Sequence, residues 1–116
     1  MGDSKDNARH VVGTTADLEY DGRAQVELPD GEEVLLLKHK GELLAVQAYC
    51  PHQYVPLIGS EILGEDLLVC PMHGWKFSLT TGVDPDNAFI CVQKYKCGVD
   101  GDKLWVGEPL PIPSPM

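Results

Sequence analysis

The chain has 116 residues, enough for one domain with a modest core. Its 18 acidic residues against 9 basic ones give a net charge of −9, which argues against a nucleic-acid partner and fits either plain solubility or steering toward basic patches on other proteins. No run approaches the roughly 20 apolar residues of a membrane span, and the polar opening Met1-Gly2-Asp3-Ser4-Lys5-Asp6-Asn7 lacks the apolar centre of a signal peptide. The expectation is a cytoplasmic protein with no membrane partner.

After a polar segment at residues 1–8, the pattern predicts strands almost throughout. Arg9–Asp17 reads as a first strand. Gly22–Leu28 alternates Ala24, Val26 and Leu28 with Arg23, Gln25 and Glu27, as a half-buried strand does. Leu28-Pro29-Asp30-Gly31 is a turn signal. Val34-Leu35-Leu36-Leu37 reads as a buried strand, and Lys40-Gly41 as a hairpin turn into Leu43–Tyr49. Ser60–Leu63 and Leu67–Cys70 flank a turn at Gly64-Glu65-Asp66. Trp75–Leu79 follows, then a turn at Thr80-Thr81-Gly82. Val92–Val99 and Leu104–Gly107 form a last hairpin around Asp100-Gly101-Asp102. Many short strands with Gly/Asp turns predict an all-β antiparallel barrel or sandwich. The end, Pro109-Leu110-Pro111-Ile112-Pro113-Ser114-Pro115, has proline at every second position and predicts an extended arm, lying along its own domain or reaching a partner.

Two boxes carry the chemistry: Cys50-Pro51-His52 and Cys70-Pro71-Met72-His73, with the spacing C-x-H-x17-C-x2-H. Each sits where an apolar strand ends, and each mixes one thiol with one imidazole. A structural zinc site wants four donors around one ion and usually takes them as C-x2–4-C and H-x3–5-H pairs. Donors of both kinds in each box suit two irons better, with the thiolates on one and the imidazoles on the other. Zinc, or a metal-free relative of such a site, is the competing reading. Pro51, Pro56 and Pro71 stiffen the loops by fixing φ. His39, between Lys38 and Lys40, reads as a solvated strand residue.

Two further cysteines, Cys91 and Cys97, lie six apart near the predicted late strand. Six residues of extended chain span roughly 20 Å, beyond the roughly 7 Å between Cα atoms that a disulfide tolerates. Both are expected to be free, partly buried thiols.

The boxes, with Gly74-Trp75-Lys76-Phe77 and Thr81-Gly82 after the second, resemble soluble Rieske [2Fe–2S] ferredoxins. Cys50-Pro51-His52-Gln53 and Gly82-Val83-Asp84-Pro85-Asp86 are most similar to the ferredoxin components of diiron monooxygenases that oxidise toluene, alkenes or isoprene. Ferredoxins of ring-hydroxylating dioxygenases come second, and the small subunit of assimilatory nitrite reductase third. The resemblance implies a Rieske domain over residues 9–107, a basal β-sandwich or barrel with a cluster-binding subdomain of two loops at about 45–80, and a Pro-rich tail at 108–116. It implies one [2Fe–2S] cluster, with Cys50 and Cys70 on the inner iron and His52 and His73 on the outer. It implies no catalytic residue: the chain is expected to be a monomeric electron carrier, passing single electrons from an NADH-dependent flavin reductase to a terminal oxygenase hydroxylase. Gln53, Tyr54, Trp75 and Pro85 are the expected docking residues. A Rieske oxygenase needs a second iron site with two histidines and a carboxylate, and no histidine follows His73. High-potential relatives carry Ser and Tyr where this sequence has Trp75 and Phe77, and a bridging disulfide where it has Val55 and Met72.

Overall fold

Val34, Leu35, Leu36 and Leu37 are all completely buried. Successive residues of a strand point to opposite faces, so four buried neighbours require cover on both sides. That requirement organises the molecule. The computed structural model describes residues 9–19, 22–50, 55–70, 75–84 and 87–110. Its strands are β1 (His10–Thr14), β2 (Arg23–Glu27), β3 (Glu33–His39), β4 (Glu42–Gln47), β5 (Glu61–Leu63), β6 (Leu67–Val69), β7 (Lys76–Ser78), β8 (Val83–Asp84), β9 (Asn87–Cys91), β10 (Lys94–Asp100) and β11 (Lys103–Pro109), with a 3₁₀ turn at Thr15–Leu18.

Six strands form an antiparallel sheet in the order β1-β11-β10-β4-β3-β2. Its edge strands β1 and β2 lie against each other, so the sheet curls into a nearly closed barrel. A three-stranded sheet, β5-β6-β7, covers the outer face of β3 and β4, and β8-β9 forms a separate hairpin. Val34 and Leu36 point into the barrel with Leu18, Leu28, Tyr95, Leu104 and Val106. Leu35 and Leu37 point the other way, into a second core with Val46, Leu57, Leu68 and Phe77. β3 is thus the wall shared by two cores, and this accounts for the unbroken apolar run.

The turns follow local chemistry. Lys40 and Gly41 both have positive φ, 54° and 81°, the backbone that a two-residue hairpin needs to match strand twist. Gly82 has φ +83°, and a Cβ there would lie 2.7 Å from the Val92 carbonyl oxygen. Only glycine lets these segments meet so closely.

Several expectations are corrected. The first strand stops at Thr14, because the Asp17 carboxylate accepts the Thr14 N–H (2.9 Å) and chain 15–18 turns as 3₁₀. The β8-β9 hairpin was not foreseen: β8 is two residues long, too short for any periodicity to register. The last hairpin starts at Lys94 rather than Val92, whose N–H is bonded to the Gly82 carbonyl (2.7 Å). Glu108 and Pro109 belong to β11, and the Leu110 N–H reaches the Lys94 carbonyl (2.8 Å), so the start of the Pro-rich segment lies along its own domain. His39 is half-buried and bonded through Nε2 to the Glu65 carbonyl, tying the β3-β4 turn to the β5-β6 turn.

Candidate metal centre

Cys50 and Cys70 are 0% and 1% exposed and lie in the same apolar core, between the barrel wall and the small sheet. Neither is in a disulfide. Different local structures carry them to this point. Cys70 directly follows β6, whose ladder with β7 runs up to Val69↔Lys76. Cys50 lies three residues beyond the end of β4, held by a bridge between Tyr49 and Pro56.

The two environments nevertheless share one device. The Cys50 N–H donates to the Val55 carbonyl (2.8 Å), and the Cys70 N–H donates to the Trp75 carbonyl (2.7 Å). Each bond spans five residues and closes a loop rooted on a buried cysteine. The equal spacing from Cys50 to Val55 and from Cys70 to Trp75 is legible in the sequence, but only after the two boxes have been recognised as equivalent. His52, His73, Gln53, Tyr54 and Pro85 lie outside the described residues, as does Met72.

Around the loops, Trp75, Val55, Ile58 and Ile62 are partly buried against the core that holds the cysteines, and Phe77 is completely buried in it. Sequence reasoning missed the role of Arg23, read there as one of the polar residues of an alternating strand. Its Nη1 donates to the carbonyls of Ile58 (2.7 Å) and Ser60 (2.6 Å), fastening the segment after the first loop to the barrel. At the far end of the small sheet, the Asp66 carboxylate accepts from Ser78 Oγ (3.2 Å) and Thr80 Oγ1 (2.8 Å). Arg23 thus braces the small sheet's leading segment on the barrel, and Asp66 ties the β5-β6 turn to the end of β7 within the sheet.

The other thiols behave differently. Cys97 is half-buried against the barrel core, and its Sγ lies 3.3 Å from the Leu43 carbonyl oxygen. Burial pushes its pKa up from 9.0 to about 11, partly offset by Lys94. A thiol so reluctant to ionise is a structural group rather than a reactive one. Cys91 is also partly buried and free of disulfide.

A model of the Rieske [2Fe-2S] domain matches residues 8–96. The chain belongs to the Rieske [2Fe–2S] domain family. It is 34% identical over 108 residues to the ferredoxin component of the alkene monooxygenase system of Xanthobacter autotrophicus, covering 92% of this chain and 88% of that protein. In fold it is similar to the ferredoxin of carbazole 1,9a-dioxygenase from Nocardioides aromaticivorans, with a TM-score of 0.71, 24% identity, and 87% and 98% of the two chains covered. It also resembles part of the terminal oxygenase of that system, with a TM-score of 0.77 and 24% identity over 93% of this chain but only 32% of the oxygenase. Two further curated relatives, a cholesterol 7-desaturase of Ciona intestinalis and the human apoptosis-inducing factor 3, are longer proteins of which this chain covers 21% and 17%.

A Rieske domain carries one [2Fe–2S] cluster, and the chemistry of the chain suits it. Two thiols converge in one apolar core, each at the root of a closed loop whose sequence adds one histidine. Two sulfur and two nitrogen donors are what a Rieske centre takes from its protein. The chain is therefore a Rieske ferredoxin, an electron-transfer protein rather than an enzyme in its own right.

Proposed function

We propose that this Rieske ferredoxin passes single electrons from an NADH-dependent flavin reductase to the hydroxylase of a diiron monooxygenase, in the cytoplasm and as a monomer. The cluster, when bound, supplies the one-electron chemistry. Cys50 and Cys70 hold its inner iron and His52 and His73 its outer iron, within a Rieske domain at 9–107 whose cluster-binding part is about 45–80. The observation that carries the ligand assignment is the pair of buried cysteines at the roots of two equivalently closed loops. Apolar cover by Leu35, Leu57 and Phe77 keeps water from the inner side, and low solvent access is one of the levers on a cluster's potential. The protein's part in electron transfer is to keep these donors still while the charge changes. The Arg23 brace to the barrel and the Asp66 bonds inside the small sheet serve that end.

Trp75, half-buried beside the second loop, is the proposed docking anchor, together with Gln53, Tyr54 and Pro85. Aromatic side chains that offer area at little entropic cost often anchor interfaces. The monooxygenase route is supported by the 34% identity to the alkene monooxygenase ferredoxin across nearly the whole of both chains. A ring-hydroxylating dioxygenase is the second reading, supported by the likeness in fold to the carbazole dioxygenase ferredoxin.

Purified protein should be red-brown, with about two irons and two labile sulfides per chain, and Cys50→Ser or Cys70→Ser should remove the colour. A colourless protein with stoichiometric zinc would refute the cluster assignment. Reconstitution decides the route. NADH-driven epoxidation by an alkene monooxygenase hydroxylase should depend on added ferredoxin. Turnover with a ring dioxygenase and none with the monooxygenase would establish the second reading instead.

A further inference from the structure

The two cysteines are supported unequally. Cys70 continues a hairpin: the β6-β7 ladder reaches Val69↔Lys76, and the Cys70 N–H bond to Trp75 is the next step of it. Behind Cys50 lies only a short stretch of pairing, the single Tyr49↔Pro56 bridge with the Leu57 N–H on the Ala48 carbonyl (2.8 Å). The β3-β4 register ends at Val34↔Gln47, and three residues later the chain must deliver a buried sulfur. A side chain adds to this pairing. Gln47 Nε2 donates to the Tyr49 carbonyl (2.7 Å), and Gln47 Oε1 accepts the Gln93 backbone N–H (2.7 Å). The Gln47 backbone N–H in turn donates to the Gln93 carbonyl (2.8 Å), so main chain and side chain of Gln47 are both tied to Gln93.

The Tyr49 carbonyl and the Cys50 N–H belong to one planar peptide unit. Its carbonyl end is held by Gln47 and its N–H end by Val55. A plane gripped at both ends resists rotation, which fixes the N–Cα bond from which the Cys50 side chain is set. We propose that the Gln47 side-chain amide is a positioning group of the metal centre, aiming the Cys50 sulfur by holding the Tyr49–Cys50 peptide. This rests on the reading of Cys50 as a cluster ligand. At Cys70 the three-residue β6-β7 ladder supplies the longer main-chain support.

The test compares holoproteins. Gln47→Met keeps the length of the side chain and removes both polar atoms. Gln47→Glu keeps an acceptor for the Gln93 N–H but turns a carboxylate toward the Tyr49 carbonyl, so it loses the donor. Both should shift the g-values of the reduced cluster and speed its release to an iron chelator, on the order of tenfold for each part-buried hydrogen bond lost, two in Gln47→Met and one in Gln47→Glu. Two controls separate positioning from stability. Gln93→Met removes only the Gln93 side-chain bonds to the Lys94 and Leu110 carbonyls and leaves the backbone N–H that Gln47 uses. Leu18→Ala opens the barrel core far from the loop. Both should lower the melting temperature and keep the parental g-values. Parental g-values and release rate in Gln47→Met, or equal shifts in Leu18→Ala, would overturn the proposal. A full cluster in Cys50→Ser would instead refute the ligand reading beneath it.

Discussion

Replacing Leu35 or Leu36 by alanine removes the same side chain from the same strand, yet the two changes should have different consequences. Both leucines are completely buried, so each deletion leaves a cavity and costs about 2–5 kcal/mol. At about 4–8 °C per kcal/mol for a domain near this size, both variants should melt at least about 8 °C below the parent. What distinguishes them is the face. Leu36 points into the barrel with Leu28 and Leu104, whereas Leu35 shares its core with Cys50 and Cys70. Leu35→Ala should therefore broaden or shift the reduced-cluster spectrum and hasten loss of visible absorbance at temperatures where the fold is intact. Leu36→Ala should leave both at parental values. The assay is circular dichroism for the fold beside electron paramagnetic resonance and absorbance for the cluster. An equal disturbance of the cluster by Leu36→Ala would refute the division into two cores with one shared wall.

The remaining predictions concern single features. Gly82→Ala, at φ +83° and with its new Cβ facing the Val92 carbonyl at 2.7 Å, should cost at least about 1 kcal/mol, read from the urea midpoint; a neutral result would refute the close approach. Cys97, with its pKa raised to about 11 from 9.0, should react with iodoacetamide at neutral pH on the order of a hundredfold more slowly in the folded chain than in the unfolded one. Because folding favours its neutral form, the stability this thiol contributes is complete below about pH 9 and is lost as pH rises toward about 11; rapid labelling at pH 7 would contradict the burial. The potential should lie near the low end of the Rieske range, about −150 mV, because Trp75 and Phe77 carry no hydroxyl to stabilise the reduced cluster. A value above roughly +100 mV by protein-film voltammetry would refute that argument. With a net charge of −9, association with a basic redox partner should slow between low salt and about 0.15 M, where the Debye length is about 8 Å; turnover independent of salt at limiting ferredoxin would remove the steering claim.

Much of the architecture could be read from local patterns. Alternation marked β2, the turn chemistry of Lys40-Gly41 and Gly64 marked hairpins, and the spacing of the two boxes named the family and its cluster. These signals survive in one dimension because strand period, positive φ and metal-donor type are properties of neighbouring residues. Long-range contacts leave no such trace. Nothing in Val34–Leu37 says which two residues face the barrel and which face the metal core, since either assignment satisfies the same apolar run. Arg23 looked like a solvent-facing member of an alternating strand, and its carbonyl partners lie 35 and 37 residues away. Gln47 and Gln93 are unremarkable polar residues until the fold sets them 46 positions apart in sequence but 2.7 Å apart in space. Donor identity is written in the chain, whereas the aim of a donor depends on hydrogen bonds between segments that only packing brings together.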